Sequence, residues 1–293
     1  MSETNGRFRL DRDQVRASFN RAADGYDAAA VLQKRVRVEL VLRLDLVRLE
    51  PEVVVDAGCG TGRAVRALRR RFPKARVIAL DLAERMLEKV PRSRRFALRK
   101  TSVDPVCGDV AALPLADASV DLVFCNLMLQ WCDELRAVFS EMRRVLKPNG
   151  LLSLTTFGPD TLKELRASWA AVDGHTHVNR FLDMHDVGDL LVRAGFAEPV
   201  MDVVHYTLTY ETVIDLMRDL KRIGAHNVTA GRPRGLTGRG RLGRLRSEYE
   251  VWRSDGRLPA TYEVVFGQAW APKGQSAIAG EVRVPVGALG KRG

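Results

Sequence analysis

Residues 53–62 read V-V-V-D-A-G-C-G-T-G, and no other stretch narrows the possible folds as much. Val53, Val54 and Val55 are β-branched and stiff at χ1, which suits a strand buried on both faces, and Asp56 then stands at its carboxyl end. Gly58, Gly60 and Gly62 let the backbone turn sharply and leave no Cβ between it and a ligand. The amphipathic run 64–72 reads as the next helix. The glycine loop therefore falls at a helix N-terminus, where open parallel sheets hold their cofactors.

A dinucleotide fingerprint asks for G-x-G-x-x-G, whereas these glycines recur at every second residue and position 63 is Arg, which speaks against hydride transfer. Residues 75–80 form the next expected strand and end on Asp81, an acid placed to accept hydrogen bonds from both ribose hydroxyls. Together, Asp56, the alternating glycines and Asp81 resemble motif I of the S-adenosylmethionine-dependent methyltransferases.

At 293 residues the chain is long enough for one elaborated α/β domain or for two domains. Its apolar runs are short and broken by Arg, Asp or Lys, and residues 1–13 mix charges without an apolar core. No membrane span or secretory signal is expected, and the protein is placed in the cytoplasm. Cys59, Cys107, Cys125 and Cys132 form no C-x-x-C pair and read as reduced thiols. His175 and His177 could share a strand face, but no third ligand follows at a metal spacing, so no metal is expected. The net charge of +11 invites a nucleic-acid reading. Aromatic residues are nearly absent from the basic clusters, which disfavours single-stranded nucleic acid. The acid-free run of Arg232, Arg234, Arg239, Arg241, Arg244 and Arg246 suits a small acidic protein as well as a polyanion.

In chain order, residues 1–12 are expected to be disordered. A helix follows from 13, with Val15, Phe19 and Ala22 at helical spacing, and Gly25 and Tyr26 break it. A second helix over 29–49 is expected to turn Val31, Val38, Leu42 and Leu46 to one side. These lid helices (13–50) precede a cofactor-binding core (51–157) whose further strands end within 105–109 and span 120–125 and 151–157. The K-P-N-G at 147–150 stops the intervening helix. Residues 158–197 read as a helical insertion able to form part of a substrate lid. Strands over 198–209 and 260–270, the second antiparallel, complete the domain at 271, with helices at 211–223 and up to 254 between them. The tail 272–293 is expected to be disordered.

F-N-R-A-A-D-G-Y-D, the glycine loop, L-P-L-A-D-A-S-V-D-L-V-F-C-N-L-M-L-Q-W-C, L-K-P-N-G, H-V-N-R-F and L-K-R-I-G-A-H-N together resemble the malonyl-acyl-carrier-protein O-methyltransferases of biotin synthesis. The likeness spans residues 13–271. An arginine-hydroxylating complex I assembly factor shares the L-Q-W-like and P-A-T-Y segments and supplies the alternative activity, with a non-catalytic RNA-binding module as a third reading. The resemblance implies a class I methyltransferase fold: a seven-stranded, mostly parallel sheet with helices on both faces. It also implies S-adenosylmethionine as donor, and as acceptor the free carboxylate of a malonyl thioester on acyl carrier protein or coenzyme A.

A malonyl carboxylate is ionised near neutral pH and needs no general base. The residues expected to act are therefore those that hold geometry. Arg180, with Asn179 beside it, is expected to anchor the acceptor carboxylate, and Tyr26 to close over the methyl group. Gln130, Trp131, Lys221 and His226 are expected to line the acceptor pocket. For the cofactor, Gly58, Gly60 and Gly62 give close backbone approach and Asp56 orders the loop or meets the amino group. Asp81 takes the ribose, Asp109 and Val110 the adenine edge, and Asn126 and Phe19 add contacts. The basic run is expected to dock the acidic carrier protein.

Overall fold

A computed structural model describes residues 10–91, 103–225 and 238–273. Seven strands form one sheet: β1 (Val53–Ala57), β2 (Arg76–Asp81), β3 (Val103–Cys107), β4 (Val120–Asn126), β5 (Leu146–Phe157), β6 (Ala197–Tyr210) and β7 (Leu258–Trp270). Their order is β3-β2-β1-β4-β5-β7-β6. Strands β1 to β5 pair in parallel, and β7 runs antiparallel to both β5 and β6. This is the mostly parallel class I methyltransferase sheet that the resemblance implied. The strand order reverses between β1 and β4, so the ends of these two strands border a crevice.

The β-branched run of β1 alternates its side chains between two apolar layers. On one face Val54, Leu122, Phe124 and Phe266 pack with Leu40 of α3 (Val31–Arg43), Leu68 of α4 (Arg63–Arg71) and Leu165 of α7 (Lys163–Ala170). Leu216 of α9 (Val213–Arg222) and Leu245 of α10 (Arg239–Glu250) complete this layer. On the other, Val55, Val123 and Leu152 meet Phe139 and Met142 of α6 (Leu135–Val145) and Val187 and Leu191 of α8 (Met184–Arg193). The insertion 158–197 contributes to both layers through α7 and α8.

Three expectations are corrected. Leu10, Asp11 and Arg12 are not disordered: Asp11 caps α1 (Arg12–Ala22) by accepting from the Gln14 N–H, and the Leu10 N–H donates to Asp133 Oδ1 at 2.6 Å. Residues 1–9 and 274–293 lie outside the described residues. Helix α3 also buries the stripe opposite to the expected one. Leu32, Val36, Leu40 and Leu44 are buried, while Val31, Val38, Leu42 and Leu46 are 48–83% exposed. Both stripes carry helical spacing, so periodicity offered two apolar faces and only contact with the sheet chose between them. The K-P-N-G segment likewise belongs to β5, at the register shift opposite Val120 and Leu122.

Candidate active site

The glycine loop is held from beneath by β2. The N–H groups of Gly58 and Cys59 both donate to the Leu80 carbonyl, at 2.8 and 3.0 Å. Asp81, at the end of β2, accepts from the Gly60 N–H through Oδ2 and from the Ala83 N–H through Oδ1, each at 2.8 Å. This acid therefore shapes the loop as well as facing the cavity beside it. Burial raises its pKa, and the two N–H donors oppose that shift.

The lid helices close over the loop. In α2 (Tyr26–Ala29), Asp27 accepts from Thr61 Oγ1 at 2.7 Å and pairs with Arg63 at 2.6 Å, which fastens the G-Y-D turn to the residues just after the glycines. Tyr26 thereby lies across Gly60, where a Cβ would stand 3.9 Å from its ring. Phe19 of α1 meets Tyr26 edge-on at 6.4 Å and Trp131 at 5.2 Å. Behind it, Ser18 donates to the Gly224 carbonyl. Gly224 has φ +74°, and a Cβ there would come within 3.3 Å of the Phe19 ring. The L-K-R-I-G segment thus seats the lid. Lys221 within it is exposed and lines none of the described cavities, contrary to expectation. Met217, Asp219 and Leu220 are the residues of α9 that line the pocket, and Lys221 does not join them. His226 lies outside the described residues.

Beneath this lid is a cavity of about 460 Å³ lined by Phe19, Tyr26, Gly58, Gly60, Asp81, Asp109, Val110, Asn126 and Trp131. The structure thus brings together most of the residues expected at the cofactor. Arg12 pairs with Asp109 at 2.7 Å, so the ordered N-terminal segment is tied to the far end of this cavity. Gly62 lines none of the cavities; a Cβ on it would meet Val90 and Pro91 at 3.1 Å, and its role is packing.

A smaller cavity of about 250 Å³ continues past Tyr26 and Gly58 to Asp56, Lys34 and Arg37. Asp56 is buried and its Oδ2 has no hydrogen-bond partner. Burial first, then the charge of Asp81, pushes its pKa up to about 7, against the pull of Arg37. Burial lowers the Arg37 pKa, with Asp56 opposing. An unpaired carboxylate oxygen and a half-buried guanidinium on one small cavity suit an amino-acid zwitterion, ammonium to the acid and carboxylate to the base. Arg37 escaped sequence reading because helix α3 is rich in Arg; only its position one turn beyond Gln33 and across from Asp56 distinguishes it.

The loop after β4 is the junction of the site. Leu127 adopts φ +49°, and its N–H donates to Thr155 Oγ1 and to the Thr155 carbonyl. This sharp turn sends Leu129–Trp131 into a 3-10 turn at the crevice. Trp131 borders both the cavity beneath the lid and an inner chamber of about 220 Å³. The chamber walls are largely apolar, with Leu32, Phe157, Trp169, Met217 and Tyr262, and none of its described lining residues is Lys or Arg. Gln130, Phe157, Asn179 and Phe181 separate it from an outer groove of about 720 Å³. Arg180 is exposed and lines only that groove, so it stands at the mouth and not beside Trp131.

His177 stacks on Trp169 with centroids 3.7 Å apart, and its Nε2 lies 2.8 Å from Asp173. Arg241 reaches the same acid at 3.5 Å. His175 and His177 are not on a strand, and the insertion uses His177, Asp173 and Arg241 to brace itself against α10. Among the described residues, one other group, Asp160, His205 and Glu263, brings three possible metal-ligand atoms within 4.8 Å of one another. There Glu263 already accepts from the Asp160 N–H, and His205 is exposed. No described helix is long and apolar enough to cross a membrane.

Comparison with known proteins agrees with this geometry. A family model described as a methyltransferase domain matches residues 55–154, which hold β1 to most of β5. A malonyl-acyl-carrier-protein O-methyltransferase of Methylovorus sp. (strain MP688) is 53% identical over 274 residues, covering 92% of this chain and 93% of that one. That of Laribacter hongkongensis (strain HLHK9) is 54% identical over 270 residues, covering 90% and 91%. Among solved structures, the YcgJ protein of a Bacillus aligns over 80% of this chain and 98% of its own, with TM-score 0.56 and 18% identity, a likeness of fold.

Proposed function

The chain belongs to the malonyl-acyl-carrier-protein O-methyltransferase family, and from that premise we propose that it transfers a methyl group from S-adenosylmethionine to the free carboxylate of a malonyl group on acyl carrier protein. The observation that carries the reading is the shared wall at Trp131, where the cavity proposed for the cofactor adjoins a largely apolar chamber proposed for the acceptor. The product ester hides a charge that fatty-acid enzymes would otherwise reject, as biotin synthesis requires.

The residues present fit the cofactor. Asp56, with its orphan oxygen, and Arg37 would hold the methionine end, Asp81 the ribose, and Asp109 and Val110 the adenine edge, with Gly58 and Gly60 beneath and Tyr26 and Phe19 above. When bound, it supplies an electrophilic methyl group on a sulfonium. The protein's part is to orient and to dry. The acceptor carboxylate arrives ionised and requires no base. Tyr26, whose pKa is raised by burial first and then by Asp81 and Asp27, keeps its proton and serves as a neutral wall. The apolar chamber favours loss of opposite charges as the methyl moves. Orientation across the Trp131 boundary contributes several kcal/mol, about 7 in favourable cases. Arg180 draws the anionic acceptor into the outer groove, from which it passes Asn179 at the entrance to the chamber.

Incubation with S-adenosylmethionine and malonyl-acyl carrier protein, read by intact mass, should add one methyl to the carrier; an active carrier left unchanged would refute the assignment and favour the arginine-modifying alternative. Docking is proposed to use the exposed Arg239, Arg244 and Arg246 of α10. Arg241 is engaged with Asp173, and Arg232 and Arg234 lie outside the described residues. Raising salt should raise KM for the carrier substrate and leave a free malonyl thioester little affected. Equal responses would remove the docking surface from the proposal.

Asp56 gives a second test. Its pKa of about 7 lies above the unfolded carboxyl range, so this acid favours folding at low pH and the contribution is lost as pH rises towards 7. A ligand ammonium reverses the preference and restores the carboxylate. Binding of S-adenosylhomocysteine at pH 6 should therefore release protons, measured by calorimetry in buffers of different ionisation heat. Asp56→Asn should remove that release, and tight binding by the native protein without it would contradict the assigned contact.

A further inference from the structure

The constriction between the inner chamber and the outer groove carries an unusual pair of atoms. Among the described residues, six buried side-chain polar atoms lack a hydrogen-bond partner, and two of them, Gln130 Oε1 and Asn179 Oδ1, belong to residues that line both the chamber and the groove. Both are acceptors. The orientation of Gln130 is fixed by its other end, since Nε2 donates to the Leu127 carbonyl at 2.7 Å, so the oxygen cannot exchange places with the nitrogen without losing that bond. The turn that seats Gln130 is itself built on the left-handed Leu127 and its bonds to Thr155. Orphaned acceptors are rare in folded proteins, and each needs an explanation.

The malonyl carboxylate does not supply one. An ionised carboxylate is acceptor-only, and two carbonyl oxygens facing it would repel it. The missing partners are N–H donors. An acyl carrier protein presents its cargo as a thioester on a flexible phosphopantetheine arm, and that arm carries two secondary amides behind the sulfur. An arm entering from the groove, with malonyl ahead of it in the chamber, passes the constriction at its amide-bearing part. Phe157 and Phe181, the other two residues shared by the chamber and the groove, offer apolar walls for its methylene groups.

We propose that Gln130 and Asn179 form a gate that reads the amide N–H groups of the pantetheine arm, so that the thiol carrier is recognised at the constriction independently of the carrier's protein surface. This rests on the malonyl-thioester reading above and deepens it. The gate selects for the arm, the chamber for what the arm carries, and the basic surface for the protein attached to it.

The test compares two free substrates, malonyl-pantetheine and malonyl S-propyl thioester, which share the reacting group and differ in the amides. The native protein should favour malonyl-pantetheine in kcat/KM, and Gln130→Met and Asn179→Leu should each lower that preference by about tenfold, the usual worth of one buried hydrogen bond. Asn179→Asp, which keeps an acceptor oxygen, should retain the preference. Equal losses on both thioesters, or the same collapse in Asn179→Asp as in Asn179→Leu, would overturn the gate, because they would mean that these side chains hold the malonyl group or act as donors. Affinity for malonyl-pantetheine with S-adenosylhomocysteine present, read by tryptophan fluorescence, is followed alongside turnover. Amide-dependent binding without methyl transfer would count against the reaction and still support the gate, whereas binding indifferent to the amides would count against the gate whatever the turnover.

Discussion

Asp81→Ala is expected to lower affinity for S-adenosylhomocysteine by at least a hundredfold and to cost the fold about 2–4 kcal/mol as well, since two backbone N–H groups lose a charged acceptor in one step. The stability loss comes from Gly60 and Ala83, both of which donate to this carboxylate in the ligand-free protein. The affinity loss adds the ribose contact proposed above to a loosened glycine loop. Asp81→Asn separates the two. It keeps one acceptor oxygen and should recover part of the stability but little of the affinity. Thermal unfolding and calorimetric titration measure the two effects; an Asp81→Ala protein that melts normally and binds normally would show that the loop holds its shape without this acid.

Gly58→Ala should be comparably severe, by a different route. Gly58 has φ +72°, a region that costs an L-residue about 1–2 kcal/mol. The added Cβ would also stand 2.3 Å from Met128 Cγ and 2.7 Å from Met128 Cβ, too near the root of that side chain for a rotamer change to relieve it. Overpacking of this kind costs about 1–3 kcal/mol. Met128 lines the cavity beneath the lid, so whichever way it moves the cavity changes shape. Binding of S-adenosylhomocysteine should fall at least thirtyfold while methyl transfer becomes undetectable at ordinary cofactor concentrations. Gly60→Ala makes the contrast, because its nearest neighbour to an added Cβ is Tyr26 at 3.9 Å and only the backbone strain remains.

The grouping of residues proposed for the donor was legible because its pattern is local. A strand, an acid, alternating glycines and a second acid one strand later place themselves once the sheet is parallel, and Asp56, Gly58, Gly60 and Asp81 fell where the spacing put them. Arg37 was not legible. It sits on a helix with two apolar stripes and several basic residues, and its meaning depends on which stripe is buried, a matter decided by the sheet and not by the period. The acceptor half was read at the level of segments and less well at the level of side chains. H-V-N-R-F borders the inner chamber and the outer groove, yet Asn179 lines both while Arg180, its neighbour, lines the groove alone, because consecutive residues of an irregular segment point in directions that spacing does not fix. Lys221 illustrates the same limit on a helix. The segment L-K-R-I-G was singled out by its resemblance, with Lys221 expected in the pocket, but its structural contribution is Gly224, which lets the chain pass close to Phe19. The basic run held a similar surprise in Arg241, spent on Asp173 inside the protein.

Trp131 stands between two cavities, with Phe19 of the lid leaning on its ring. With donor and acceptor bound as proposed, this partition is shared by two ligands and their binding free energies are linked. Whatever factor a filled donor cavity applies to the affinity of the acceptor, the acceptor must apply to the donor, since both routes around the thermodynamic cycle end at the same ternary complex. A substitution at this one ring therefore has no single-ligand phenotype, and its effect is defined only by four affinities, each ligand measured with and without the other.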